Sequence, residues 1–247
     1  MLELNLWLEI AKSAALEGGN YLLQNQGKEL KVLKNSGRDI KLQLDTDTEK
    51  LIKESLSSQS SFSILGEETG LSNNLGEFYW VVDPLDGTSN FLRDIPISCV
   101  SIALMQDVTP ILGVIYDFNH DDLYFGHQNS KAFLNQNEIT VSDYSKKNQS
   151  TLVTGIPAKT HYSDEEFKNM INDFQDWKKV RMIGSAAMAA IYVAAGKAET
   201  YKENGIFLWD IAAGAAIVEA AGGVASIKNM QADYRVDAIF SNQYLAN

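Results

Sequence analysis

Histidine, cysteine and positive charge are all scarce in this chain, and each shortage narrows the chemistry open to it. Of 247 residues only three are histidine and one is cysteine. A single cysteine excludes an internal disulfide, and Cys99 lies in the apolar run Cys99-Val100-Ser101-Ile102-Ala103-Leu104, where it reads as a packed core residue. There is no Cys-x-x-Cys, and His120, His127 and His161 show no ligand spacing, so zinc and copper have no support. Each histidine reads as a surface or loop residue. No Gly-x-x-x-x-Gly-Lys loop is present, which argues against an ATP-driven phosphotransferase, and no Gly-x-Ser-x-Gly elbow supports acyl transfer. No apolar run approaches the length of about 20 residues that spans a bilayer. With 21 Lys and Arg against 32 Asp and Glu, the net charge of −11 argues against nucleic-acid or anionic-membrane binding. Glu3, Glu9 and Lys12 fall in an amphipathic pattern unlike a signal peptide, so a cytoplasmic protein is expected.

What is present is an ordinary globular composition, 45% hydrophobic with four prolines. The length suits a single domain, 1–247, with two sub-halves at about 1–150 and 151–247. The chain is organised around Trp80-Val81-Val82-Asp83-Pro84-Leu85-Asp86-Gly87-Thr88-Ser89-Asn90-Phe91. A short β-branched apolar run reads as a buried strand, and here it ends in two aspartates. Carboxylates at a core edge are costly unless something offsets their desolvation, and a hard divalent cation with oxygen ligands does so. Pro84 holds Asp83 extended, so both carboxylates can converge, and the Leu85 carbonyl is a further donor. Gly87-Thr88 offers backbone N–H groups at a helix start, where a phosphate oxygen would sit. The plainer alternative is an Asx-type turn with Asp86 as a helix cap.

Elsewhere, periodicity predicts a helix over 3–26 and a short strand at Leu30 and Val32 before the turn Asn35-Ser36-Gly37-Arg38. A second helix runs to about Leu56, with Thr46 and Glu49 at capping-box spacing and Asp45 as a helix-start residue. Asp39 has no role assigned by pattern alone. Phe62–Leu65 is a strand running into Gly66-Glu67-Glu68. Cys99–Met105, Ile111–Phe118, Leu123–Gly126 and Ala132–Leu134 form an antiparallel meander. The second half reads as strand near Leu152, helix Asp164–Trp177, strand Val180–Ile183 and helix Ser185–Ala195. Strand Glu199–Tyr201, helix Ile211–Ala221 opened by Asp210, and strands Val224–Ile227 and Val236–Phe240 follow. Glu67, Asp83, Asp86 and Asp210 thus each sit at the boundary of an apolar element. Four converging carboxylates repel strongly without cations and form a site with them.

Three ordered segments, Gly66-Glu67-Glu68, Trp80 through Phe91, and Trp209-Asp210-Ile-Ala-Ala-Gly with Glu219-Ala-Ala-Gly-Gly, resemble the signatures of the inositol monophosphatase family. This is the Mg²⁺-dependent, lithium-sensitive phosphatase superfamily, which also includes bisphosphate nucleotidases and some fructose-1,6-bisphosphatases. The resemblance runs from the first helix to about Asn242. It implies an α+β fold, a layered αβαβα sandwich of the inositol monophosphatase/fructose-1,6-bisphosphatase type, usually as a homodimer. It implies two or three Mg²⁺ ions, with Mn²⁺ a substitute, held by Glu67, Asp83, the Leu85 carbonyl, Asp86 and Asp210. Asp39 with Thr88 would orient and deprotonate the attacking water, with Glu67 holding the metal nearest it. The Gly87 and Thr88 amides would take phosphate oxygens. Gly184, Ser185, Ala186 and Glu203, with Asp86 and Asp210, would line the hydroxyl-bearing side of the substrate.

The expected activity is hydrolysis of a phosphate monoester of a small polyol or sugar, inositol monophosphate-like, by metal-activated water. A 3′(2′),5′-bisphosphate nucleotidase or fructose-1,6-bisphosphatase of the same superfamily is the alternative, and a catalytically silent metal-binding relative a further one. Ser89-Asn90-Phe91 resembles the inositol phosphatase branch. Three features depart from the family pattern. Leu42 stands where a threonine is usual, Phe207 replaces a histidine before the Trp-Asp pair, and the chain stops soon after Asn242 without a final helix.

Overall fold

A computed structural model of the chain describes residues 3–28, 31–36, 39–158 and 160–246, with the backbone alone for 34–36 and 39–40. The chain opens with α1 (Leu4–Asn25), the paired strands β1 (Val32–Ser36) and β2 (Asp39–Leu42), and α2 (Gln43–Ser57). Next come β3 (Ser63–Gly66), β4 (Gly70–Leu71), β5 (Phe78–Asp86) and the single turn α3 (Thr88–Phe91). A meander follows: β6 (Cys99–Gln106), β7 (Thr109–Asp117), β8 (Asp122–His127), β9 (Ala132–Leu134) and β10 (Asn137–Ile139). The rest is β11 (Thr151–Thr154), α4 (Asp164–Gln175), β12 (Lys179–Met182) and α5 (Ala186–Ala194). It ends with β13 (Thr200–Phe207), α6 (Leu208–Ala220), β14 (Val224–Lys228) and β15 (Arg235–Ser241). Leu30, Gly37 and Arg38, part of the expected first strand and turn, lie outside the described residues.

The first half forms an eight-stranded sheet in the order β10-β9-β8-β7-β6-β5-β3-β4, antiparallel save for β3 beside β5. The second half forms a five-stranded sheet in the order β12-β11-β13-β15-β14, with β11 parallel to both neighbours. Alternation along the strands builds the layers. Trp80, Val82, Ile102, Leu104 and Val114 face α1 and α2. Tyr79, Val81, Ala103, Met105 and Ile115 face α5 and α6, whose far side meets Val153, Tyr201, Val236 and Phe240 of the smaller sheet. Because both faces are covered, β5 reads as a continuous apolar run rather than an alternating one. With α4 outside the smaller sheet, the order is α-β-α-β-α. Small residues set the spacing of the central layer: a Cβ on Gly113 in β7 would come within 2.9 Å of the Ala213 Cα in α6. Among the described residues no helix is long and apolar enough to cross a membrane.

Some local expectations change. Thr46 and Glu49 do not cap α2, which starts earlier, at Gln43. Asp45 takes that role, accepting from the Leu42 N–H at 2.9 Å. Glu49 is fully buried and accepts instead from the backbone N–H groups of Glu68 (2.7 Å) and Thr69 (3.0 Å). β13 continues well past Tyr201, because a bulge at Gly205 (φ 72°) absorbs the irregularity that hid it in the sequence. α6 therefore begins directly at Leu208, with Asp210 in its first turn rather than at its head.

Candidate active site

β3 and β5 lie side by side and parallel, so their carboxyl ends deliver Glu67 and Asp83 to the same edge. Glu67 is hung from β5 by its N–H, which donates to the Val82 carbonyl at 3.1 Å. The turn after it is fastened by Glu49, which also pairs with Lys53 at 3.1 Å. Lys41 pairs with Glu68 at 2.9 Å. Asp83, only 1% exposed, accepts from the Leu85 N–H at 3.0 Å. The ladder with β6 slips between Asp83 and Asp86, which is where a proline fits inside a strand. The Leu85 carbonyl accepts from the Thr88 hydroxyl at 3.1 Å.

Asp86 reaches across to the other half of the fold. Its Oδ2 accepts from the Ser185 hydroxyl (2.6 Å) and the Ala187 N–H (2.7 Å) at the start of α5. The Asx turn and the helix cap of the plainer reading therefore both exist, although the helix that Asp86 caps is α5. Gly87 is required twice over: its φ is 90°, and a Cβ there would lie 2.6 Å from the Ile97 carbonyl. Asp210 enters from α6 and accepts from the Phe207 N–H at 3.3 Å. The result is a cleft of about 300 Å³. Glu67, Asp83, Leu85, Asp86, Gly87, Thr88, Gly184, Ser185, Ala186, Glu203 and Asp210 all line it. Asp39 is on β2, but its side chain lies outside the described residues.

Carboxylate oxygens of Glu67, Asp83 and Asp210 lie within 4.8 Å of one another. Burial and the neighbouring Glu68 push Glu67 up to about 7. Burial, then Glu67, Asp86 and Asp210, hold Asp83 well above the usual carboxylate range. Asp210 is raised in the same way by burial, Glu67 and Asp86. Burial lifts Asp86 to about 6 against the Ser185 and Ala187 donors, which favour its charge. Glu203 goes to about 8, by burial and then by Asp86. Packed acids of this kind stay protonated or take up a cation. The donors are all oxygen, as hard divalent ions prefer, so the residues fit such an ion.

Three participants escaped the sequence reading. Asp45 does cap α2, but its Oδ1 is buried and has no partner among the described residues. Burial pushes it up to about 8, and the Glu68 and Glu67 carboxylates add to the rise. Asn90 donates through one amide nitrogen to the Ile97 and Ile183 carbonyls, each at 2.8 Å, and so ties α3 to the segment leading into α5. Gly155 to Ala158 form a further wall of the cleft. Asp45 had a signal, an acid at the head of a helix beside a strand turn, but it was indistinguishable from a simple cap. The departures also find reasons. Leu42 is fully buried in the helix-side core, and the Phe207 ring stacks on Trp209 with centroids 4.5 Å apart.

Residues 3–240 match the sequence model of the inositol monophosphatase family. Nus factor SuhB of Xylella fastidiosa is 38% identical over 220 residues, covering 87% of this chain and 80% of that protein. The fructose-1,6-bisphosphatase/inositol-1-monophosphatase of Aquifex aeolicus is 34% identical over 228 residues, covering 91% and 86%. The solved structure of inositol monophosphatase from Anabaena superposes with a TM-score of 0.86 at 32% identity, covering 99% of this chain and 93% of that one.

Proposed function

Because the chain belongs to the inositol monophosphatase family, and is thus a metal-dependent phosphoric monoester hydrolase, we propose that it releases phosphate from a small polyol or sugar phosphate, inositol monophosphate-like, with Mg²⁺. The observation that carries this reading is the meeting of Glu67, Asp83 and Asp210 oxygens within 4.8 Å, beside the Gly87-Thr88 turn. Glu67, Asp83, the Leu85 carbonyl, Asp86 and Asp210 would hold two or three Mg²⁺, with Mn²⁺ as a substitute. When bound, the cations neutralise the phosphoryl oxygens, lower the pKa of water and stabilise the leaving alkoxide.

The chain's own groups do the rest. The Gly87 and Thr88 N–H groups donate to the phosphate oxygens. Asp86 is kept in place by Ser185 and the start of α5, so the phosphate side and the alcohol side of the cleft share one anchor. Water activation falls to Thr88 with a neighbouring acid. Asp39 is the acid implied by the family resemblance. Asp45 is the acid whose buried oxygen, without a partner among the described residues, and raised proton affinity suit it to taking a proton. Asp39→Asn and Asp45→Asn separate the two: the base is the one whose loss lowers kcat at unchanged KM. Gly184, Ser185, Ala186 and Glu203 face the leaving alcohol. The same reading makes the working form a lithium-sensitive homodimer, to be checked by light scattering.

Phosphate release from inositol-1-phosphate, fructose-1,6-bisphosphate and adenosine-3′,5′-bisphosphate, with and without Mg²⁺ and Li⁺, tests the proposal. Turnover of the first that requires Mg²⁺ and falls with Li⁺ is expected. Preference for the second or third would move the enzyme to another branch of the superfamily, and no turnover of any phosphate ester would leave a silent relative.

A further inference from the structure

The cleft shares a wall with a second cavity of about 220 Å³ that lies between α4 and the outer face of the smaller sheet. Glu203 and Gly155 line both spaces. Glu203 is only 8% exposed, so its carboxyl is wedged at the boundary rather than waving in solvent. What it is wedged against is a missing side chain. A Cβ on Gly155 would lie 2.9 Å from the Glu203 Cδ and 3.1 Å from its Oε2, with Oε1 nearer still. From β13, two residues back on the same face of the strand, comes Tyr201, fully buried and with its hydroxyl beside the Glu203 carboxyl. After burial itself, the Glu203 carboxylate is the strongest influence on that phenol.

We propose that Gly155 is a positioning residue that keeps the Glu203 carboxyl turned into the catalytic cleft, and thereby helps set which leaving alcohol the enzyme accepts. The inference rests on the reading of Glu203 as a group facing the alcohol. The steric logic is direct. A side chain at 155 must displace the carboxyl, and the space under α4 is where it has room to go. There it would meet Lys202 and Asp173 rather than substrate. No metal donor and no phosphate donor needs to move, so the loss falls on recognition of the alcohol. The Tyr201 hydroxyl is a second neighbour of the same carboxyl, which favours its charged form.

The test is a double-mutant cycle on inositol-1-phosphate hydrolysis using wild type, Gly155→Ala, Glu203→Ala and the double variant, with melting temperatures alongside. Gly155→Ala is expected to lower kcat/KM about tenfold, chiefly through KM. The same substitution should change it less than about twofold once Glu203 is alanine, because the group it collides with is gone. Should Gly155→Ala alone fold poorly, its melting temperature recovers in the double variant if the collision is with Glu203. An equal loss in both backgrounds, or an unchanged Gly155→Ala alongside a damaged Glu203→Ala, overturns the proposal and leaves the assigned activity standing. Unchanged efficiency in Glu203→Ala overturns the reading on which it rests.

Discussion

On the proposed reading, Asp83 is both required for the reaction and a burden on the fold. It is almost wholly buried, and Glu67, Asp86 and Asp210 all oppose its ionisation. Asp83→Asn keeps an oxygen to accept from the Leu85 N–H and removes a like charge. Phosphate release should fall at least about a thousandfold, while the melting temperature in a chelator stays level or rises. Near-normal turnover would remove Asp83 from the ion-binding set. The sign of the pH dependence follows from the same repulsion. Glu67 (about 7), Asp86 (about 6) and Asp45 (about 8) are all raised in the folded protein, so the folded state binds more protons than the unfolded one. Their contribution is fully present below the ordinary carboxylate pKa and is lost as pH climbs through these values. Calorimetry of the chelated protein should therefore show a melting temperature that falls between pH 5 and about pH 8.5.

At the scale of elements, spacing between layers is set by residues too small to notice. Gly113→Ala would drive a methyl group into the α6 backbone at Ala213 and is expected to lower stability by about 2–3 kcal/mol in a urea titration. A change of under about 0.5 kcal/mol would mean that α6 can shift without resistance. Most elements were legible beforehand because their cause is local. The meander alternates or runs apolar between turns, and α6 is so uniformly small and apolar that only a buried helix fits it. What the sequence hid at three places shares one physical origin. Glu49 has the spacing of a capping residue but is consumed by the turn after Glu67, a contact between distant segments. β13 contains Glu203, Asn204 and Gly205, which read as a break until the pairing with β15 and its bulge are known. Asp45 reads as a helix-start residue and is one, and its second oxygen, without a partner among the described residues, is a property of the folded environment alone.

At the scale of the whole molecule, the site is a meeting of two sheets that, among the described residues, share no hydrogen-bonded edge. Glu67 and Asp83 arrive on the larger sheet, whereas Glu203 arrives on the smaller one and Asp210 on the helix between them. The acids were visible in the sequence at the ends of apolar elements, but their convergence depends on layer stacking that no local pattern encodes. Divalent ions should consequently act as a brace across the layers. At a free Mg²⁺ concentration of about one hundred times the Kd, the protein should gain about 2.7 kcal/mol against unfolding. Asp83→Asn should lose most of that gain, and an equal Mg²⁺ effect on both proteins would place the ion elsewhere.

β13 passes into α6 without a connecting loop, so Glu203 and Asp210 ride on one uninterrupted piece of backbone. An inserted or deleted residue in that stretch would rotate one group out of the cleft while leaving the other in it. Lengthening or trimming should thus be purged there far more strictly than replacement. If Glu203 faces the alcohol and Asp210 an ion, point changes around Glu203 should alter the preferred alcohol, yet the count of residues between the two should stay constant across every active descendant of this chain.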